Sequence, residues 1–120
     1  MKKLKFYVIS HTHWDREWYQ SFQNYRYRLV RMMDNLIEGL EKNEEYKVFH
    51  LDGQTIVLND YLEIRPEMKE RLQKLIQDGR ILIGPWYVMP DEYLISGESL
   101  VKNLQMGHRI CEEYGAEPMK

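Results

Sequence analysis

The chain has 120 residues, with 17 basic and 19 acidic side chains, four histidines and one cysteine. This length fits one small domain or part of a larger one, and we expect no solenoid array and no second domain within these 120 residues. The net charge of -2 argues against a nucleic-acid partner, because proteins that bind by neutralising phosphates are basic.

The sequence has three lysines among its first five residues, and only the four apolar residues Phe6 to Ile9 follow before polar Ser10. That run is too short for the core of a secretory signal, and no run approaches the roughly 20 apolar residues that span a bilayer. The single cysteine, Cys111, cannot form an internal disulfide, which is typical of a reducing compartment. We therefore expect a cytoplasmic protein with no membrane partner.

The first half of the chain predicts a strand, a helix and a second strand. Residues 5–10 (KFYVIS) are β-branched and aromatic, which is typical of a buried strand. Residues 46–51 (YKVFHL) predict the second strand. Between them, apolar side chains recur every three or four residues and predict an amphipathic helix over 22–42. Its apolar stripe is Tyr25, Leu29, Met32, Leu36 and Leu40.

The second half predicts three helices and a third strand. A helix is expected over 55–65, and Pro66 opens another, since a missing N–H is harmless at a helix start. Gly79 ends this helix, and 80–84 (RILIG) predicts the third strand. A long loop leads to the last helix, over 98–114. The apolar stripe after Pro66 is Met68, Leu72, Leu75 and Ile76.

This alternation of strands and helices predicts an α/β fold, with βαβ units and a parallel β-sheet. The first and third strands barely alternate between apolar and polar residues, as expected for strands that are covered on both faces. Ligands of such sheets bind at the carboxyl ends of the strands. Functional residues are therefore expected directly after each strand.

The first strand leads into His11-Thr12-His13-Trp14-Asp15-Arg16-Glu17-Trp18. Alternate side chains of extended backbone share a face, so His11, His13 and Asp15 can point the same way. Two imidazoles and a carboxylate suit a divalent metal such as zinc. Alternatively, one histidine caps the strand and Asp15 caps the next helix. The residues alone do not choose among these ligands.

Aromatic residues accompany the polar residues at two strand ends. Trp14 and Trp18 flank the first cluster and could offer a ring face to a sugar or a base, although either could belong to the core. The third strand ends in Trp86-Tyr87, and the carboxylates Asp91 and Glu92 follow. A tryptophan in a loop is more readily explained by a ligand than by the core, whereas a solvated loop explains the carboxylates adequately.

The remaining polar residues have simpler interpretations. Arg16 and Glu17 could pair with each other. Asp52, after the second strand, could bind substrate hydroxyls, contact a metal ligand or cap the following helix. His50, His108 and Cys111 are interpreted as structural residues.

The sequence lacks a Walker lysine loop, a GxGxxG motif and a GxSxG serine-nucleophile motif. A metal-dependent hydrolase with a carbohydrate-like substrate is the function that this chemistry favours.

The segment from His11 to Trp18, together with Trp86 to Glu92 (WYVMPDE), resembles glycoside hydrolase family 38, the α-mannosidases, especially its bacterial members. The resemblance covers essentially the whole chain. It implies that His13 and Asp15 are two of four zinc ligands, and that Trp18 stacks on the mannose ring. Trp86 and Asp91 are expected to contact substrate. An α-mannoside or mannose oligosaccharide is the implied substrate.

The same resemblance implies that residues 1–120 are the N-terminal portion of a catalytic domain, the first three strands of a seven-stranded, barrel-like α/β domain. The family's nucleophile, acid/base carboxylate and other zinc ligands have no matching position here. We expect no catalytic residue in this chain and no turnover by these 120 residues alone. The implied mechanism is retaining, with a covalent glycosyl intermediate.

Two other functions remain open. The first is an amidohydrolase-like or TatD-like metal hydrolase, in which His11 and His13 would be the ligand pair. The second is a fragment without catalysis that binds sugar or serves as a folding unit. A sheet edge that lacks its next strand could also pair with another chain, so a homo-oligomer is possible.

Overall fold

The computed structural model describes residues 3–118; Met1, Lys2, Met119 and Lys120 lie outside the described part. Two short parallel strands, β1 (Phe49–His50) and β2 (Ile81–Leu82), pair Phe49 with Ile81 and His50 with Leu82. The four α-helices are α1 (Phe22–Lys42), α2 (Ile56–Leu62), α3 (Lys69–Gln77) and α4 (Gly97–Tyr114). The prediction of an α/β fold with a parallel sheet is confirmed.

The predicted helices are found close to their expected bounds. The helix α1 covers the predicted residues, although Met33 rather than Met32 is fully buried in its stripe. Pro66 opens a 3-10 turn (Pro66–Met68) that continues directly into α3. Gly79 and Gly115 follow α3 and α4 with φ angles of 68° and 75°, a conformation that glycine adopts without steric cost.

The core lies between the helices and one face of the sheet. Side chains of α1, α2 and α3 pack there with Leu51, Ile81 and Ile83, and each fully buried aliphatic side chain contributes about 1.5–3 kcal/mol. Only the C-terminal half of α4 reaches this core, through Cys111 and Tyr114. Cys111 is completely buried, as expected for a structural residue, and burial raises the pKa of its thiol.

The prediction that residues 5–10 form a buried strand is wrong. The segment 3–10 has no strand structure, and its apolar side chains are exposed, Val8 by 95%. It still runs parallel to β1: the His50 N–H donates to the Ser10 carbonyl at 2.9 Å, and His11 bridges to His50. In the described part of the chain, the backbone pairing of this stretch with β1 involves Ser10, His11 and Thr12. No helix in the described residues covers the segment.

The third strand also differs from its prediction. Ile81 and Ile83 are buried, whereas Leu82 between them is 39% exposed. This alternation shows that the helices cover one face of β2, and that residues 3–118 leave the other face open. Strands buried on both faces need a layer on each side.

Candidate functional site

The polar residues predicted at the strand ends lie at one edge of the sheet. The loop from His13 to Trp18 leaves the point where His11 meets β1 and leads to Ser21, the residue before α1. Residues 51–55 turn from β1 into α2, and residues 83–96 follow β2. Parallel strands therefore bring these three segments to the same end of the molecule, as the sequence predicts.

The imidazole of His13 lies between two carboxylates. Its Nδ1 is 2.6 Å from Oδ2 of Asp52, and its Nε2 is 3.6 Å from Oδ1 of Asp15. The side chains of His13 and Asp15 are 63% and 39% exposed, whereas that of Asp52 is only 15% exposed. A ligand could thus reach Nε2 and Asp15 from solvent, with Asp52 behind the ring.

This geometry decides between several interpretations of the sequence. The helix α1 begins after Ser21 and α2 after Thr55, so neither Asp15 nor Asp52 is the cap residue of the following helix. The Nδ1 of His11 lies 3.3 Å from the carbonyl of Thr12, and its backbone pairs with β1. The structure therefore brings together His13, Asp15 and Asp52.

A groove of about 350 Å³ opens beside this cluster. Trp18 is 74% exposed and lines the groove together with His13 and Asp15. Trp14 lines it too, but it also packs against the core and contacts the Tyr25 ring edge-on at 6.3 Å between centroids. Of the two tryptophans, Trp18 is thus the one with a mostly exposed ring, although that ring also lies 5.5 Å from the Tyr19 ring between centroids. The other lining residues are Tyr19, Tyr25, Arg28 and Met32.

Arg16 anchors the loop to α2. Its Nε and Nη2 donate to the two carboxylate oxygens of Asp60 at 2.6 and 2.9 Å. The Asp60 side chain is 7% exposed, and this pair raises the pKa of Arg16. The interpretation that Arg16 pairs with Glu17 is therefore wrong. A bidentate pair fixes the direction of a side chain better than a single contact does. Arg16 therefore holds the middle of the loop from His13 to Trp18 in place.

Gln54 joins the first and third strand ends and was missed by the sequence reasoning. It is 1% exposed, donates from Nε2 to the Trp14 carbonyl at 2.8 Å, and accepts from the Met89 N–H at 3.5 Å. A buried amide must satisfy both of its ends. The available signal was its place, directly after a strand and beside Gly53.

Backbone hydrogen bonds connect the segment after β2 to the turn after β1. The Trp86 N–H donates to the Gly53 carbonyl at 2.9 Å, and the Trp86 carbonyl accepts from the Thr55 N–H at 2.9 Å. Asn103 on α4 fixes the next residues, because its Oδ1 accepts from both Tyr87 and Val88 at 2.9 Å. Nothing in the sequence pattern singled out Asn103.

Asp91 lies apart from the groove that Trp18 lines. It lines a second groove of about 480 Å³ between its own loop and α4, and its Oδ1 accepts from the Tyr93 N–H at 3.3 Å. Trp86 is half-buried, with its ring near Gly53. The structure thus places Trp86 next to the turn that carries Asp52, and places Asp91 on a neighbouring surface.

His50 is half-buried in β1, as the structural interpretation expects. Burial lowers its pKa, while nearby Asp52 raises it and His11 lowers it. Its ring therefore favours the neutral form more than an exposed histidine does.

The residues 3–118 could supply part of a metal site. No group of three or more His, Cys, Asp or Glu side chains in that part of the chain is placed to hold a metal ion. The pair His13 and Asp15 has suitable chemistry, an imidazole nitrogen and a carboxylate oxygen. Two ligand atoms that each lie about 2 Å from a tetrahedral zinc ion are about 3.4 Å apart. The distance between the His13 Nε2 and the Asp15 Oδ1 is close to this, at 3.6 Å.

Comparison with known proteins decides the family. The model of "Glycosyl hydrolases family 38 N-terminal domain" matches residues 3–119. The chain belongs to this family. The resemblance noted from the His11 and Trp86 segments is thereby confirmed.

Family 38 relatives are similar over nearly all of this chain. A protein of Halalkalibacterium halodurans named "Putative mannosylglycerate hydrolase" is 50% identical over 96% of the chain and 13% of the relative. An α-mannosidase structure from Enterococcus faecalis V583 matches 91% of the chain and 12% of its own, with 47% identity and a TM-score of 0.88. A second family 38 structure, from Enterococcus faecalis, matches 95% of the chain and 13% of its own, with 43% identity and a TM-score of 0.86.

The family 38 chain therefore spans about an eighth of the length of these relatives. Relatives over this stretch are glycoside hydrolases. The family membership removes the support for an amidohydrolase-like or TatD-like protein. Within the described residues, no helix is long and apolar enough to cross a membrane.

Proposed function

We propose that this chain forms part of the active site of a zinc-dependent, retaining α-mannosidase, and that His13 and Asp15 supply two of the zinc ligands. The observation that carries the proposal is the pair itself: the His13 Nε2 and Asp15 Oδ1 converge at 3.6 Å on an exposed surface beside Trp18. The pair presents an imidazole nitrogen and a carboxylate oxygen, two donors that zinc binds, on the same exposed surface.

Bound zinc would supply a template for vicinal hydroxyls of the mannose ring. His13 and Asp15 would hold the ion at the mouth of the groove, and the exposed face of Trp18 would stack on the apolar side of the sugar. Trp86 and Asp91 are proposed substrate contacts on the adjacent loop. Cleavage itself would use two carboxyl groups about 5 Å apart in a retaining geometry, and on this proposal neither group belongs to residues 3–118.

The same proposal accounts for the open sheet. In a seven-stranded α/β domain, further strands and helices would pack on the apolar segment 4–9 and on the free face of β2. Phe6, Val8 and Leu82 are exposed by 83%, 95% and 39% in the described residues. Covering them would add apolar burial to both surfaces. On this proposal the 120 residues alone bind sugar or zinc weakly and do not turn over substrate.

A mannosylglycerate is a second candidate substrate. It is favoured by the name of the relative that is 50% identical, and by Arg28, which lines the same groove as Trp18. A cationic side chain there could pair with the carboxylate of a glyceric acid moiety. Comparing hydrolysis of an aryl α-mannoside with that of mannosylglycerate would separate the two substrates.

The zinc assignment is tested by substituting one ligand in the full-length protein. His13→Ala is expected to remove stoichiometric zinc, measured by elemental analysis, and to abolish α-mannoside hydrolysis. His108→Ala on α4 is the matched control, because it removes an imidazole far from the groove. It should keep both properties. Stoichiometric zinc in His13→Ala would refute the assignment, even if activity were lost.

A further inference from the structure

We propose that Asp52 is a positioning residue that holds the proton of His13 on Nδ1 and leaves Nε2 free to bind a divalent cation beside Asp15. This inference rests on the proposed zinc function, but its first step concerns the imidazole alone. It gives Asp52, which follows β1, a role in the same site as His13 and Asp15.

The hydrogen bond determines the tautomer. An ionised carboxylate only accepts hydrogen bonds, so the 2.6 Å contact with Oδ2 of Asp52 requires that the His13 Nδ1 carries the proton. In the neutral ring, Nε2 then has the free lone pair. Free histidine in water favours the opposite tautomer, with the proton on Nε2. Asp52 therefore reverses the intrinsic preference of the ring.

The lone pair on Nε2 faces a carboxylate. The Asp15 Oδ1 lies 3.6 Å from it, too far for a hydrogen bond. Two electron-rich atoms at this distance repel each other in the neutral tautomer, and a cation between them removes the repulsion. Ligating histidines commonly donate their other N–H to a carboxylate, which fixes the ring and raises its basicity. Asp52 is placed to do so.

The backbone of Asp52 adopts a conformation that suits an aspartate at this position. Its φ angle is 53°, which is uncommon outside glycine, asparagine and aspartate. Gly53 follows with a φ angle of 71°, so the chain turns sharply between β1 and α2. Glycine would fit position 52 more easily but has no carboxylate. Aspartate combines the left-handed conformation with an acceptor.

Asp52 also acts electrostatically on the half-buried ring of His50, whose pKa it raises, but among residues 3–118 it forms no side-chain hydrogen bond with that ring. Thr55 rather than Asp52 precedes α2, and the contact with His13 is the only side-chain hydrogen bond that Asp52 makes there. Its side chain is 15% exposed, so solvent screens the contact less than it screens the outer side of the His13 ring.

The first experiment reads the tautomer of His13 directly. The full-length protein, in which the remaining zinc ligands are expected, is labelled with ¹⁵N-histidine and studied without metal at about pH 8.5, where histidines are ordinarily neutral. Imidazole ¹⁵N shifts are expected to show the Nδ1–H form of His13 in the wild type and mainly the Nε2–H form in Asp52→Gly. Glycine tolerates the left-handed backbone, so this variant should fold. Glu44→Gln removes an exposed charge elsewhere and is the control.

The second experiment adds zinc to the same samples. Asp52→Gly is expected to weaken the zinc-induced change at His13 by about 10- to 100-fold in affinity. Asp52→Asn, which also suits the left-handed backbone, should weaken it in the same direction because its acceptor is neutral. Zinc affinities equal to that of Glu44→Gln would overturn the positioning role.

The two proposals can fail separately. If His13 keeps the same tautomer in the wild type and in Asp52→Gly, the positioning role is wrong, whether or not zinc binds. If the tautomer changes in Asp52→Gly but zinc does not shift the His13 signals of the wild type, the zinc assignment is wrong. The positioning of the imidazole by Asp52 would still be supported.

Discussion

Arg16 illustrates how a single buried contact can position a loop that ends in exposed residues. The loop from His13 to Trp18 reaches solvent at its three proposed functional side chains, His13, Asp15 and Trp18. Its centre is nevertheless tied to the nearly buried Asp60. The guanidinium also lies 4.9 Å from the centre of the Phe22 ring. The rigidity that a metal ligand needs thus comes from a neighbour in the sequence that does not itself face the groove.

Arg16→Met should lower the free energy of unfolding by about 1–3 kcal/mol, because it leaves the Asp60 carboxylate without its bidentate donor. Urea denaturation followed by tryptophan fluorescence measures the change. The double variant Arg16→Met with Asp60→Leu should recover part of the loss, since the buried charge is removed as well. Equal urea midpoints for Arg16→Met and the wild type would show that the pair contributes nothing.

Alternation along extended backbone predicted that His11, His13 and Asp15 share a face, and the resemblance to family 38 singled out His13 and Asp15. Residue types and spacing could not predict which partner each would choose. Asp52 was left with three roles, and Arg16 was assigned to Glu17, because partners some 40 positions apart depend on how α2 packs. The short Asp52-Gly53-Gln54 turn proved to connect all three strand ends.

At the scale of elements, α4 and the third strand end form one unit. Gly107 lies where the loop crosses the helix: a Cβ atom there would be 2.0 Å from the Pro85 carbonyl oxygen and 2.4 Å from the Trp86 carbonyl carbon. Both neighbours are backbone and cannot rotate away. Asn103, one turn earlier, then binds the next two residues of the loop.

Gly107→Ala should therefore destabilise the protein by about 1–3 kcal/mol, despite the higher helix propensity of alanine. Gly39→Ala in α1 is the matched control, because a Cβ atom there has nothing within 4 Å. It should be neutral or stabilising by up to about 1 kcal/mol. Thermal unfolding monitored by circular dichroism compares the two, and equal midpoints would contradict the close approach of α4 to the loop.

Periodicity predicted the helices well and the strands poorly. The apolar stripe of α3 is predictable because the neighbouring helices and strands of this chain are sufficient to bury it. The segment 5–10 has the composition of a buried strand but gains burial only when both faces are covered. Residues 3–118 do not supply those layers, so the segment lies exposed along β1.

At the scale of the whole molecule, the chain is an α/β unit of family 38 that carries one edge of a site. The family was recognisable from the His11 to Trp18 and Trp86 to Glu92 segments, since both motifs have unusual composition and the expected order. The cytoplasmic location and the homo-oligomer remain predictions. The zinc ligands remain a proposal supported by the convergence of His13 and Asp15.

The most direct measurement is an anomalous difference map, recorded at the zinc absorption edge from crystals of the full-length protein. The account predicts one strong peak about 2.0–2.2 Å from both the His13 Nε2 and an Asp15 carboxylate oxygen, with Asp52 bonded to the other side of the His13 ring. A zinc peak that contacts neither His13 nor Asp15, or that contacts His11 in place of Asp15, would contradict it.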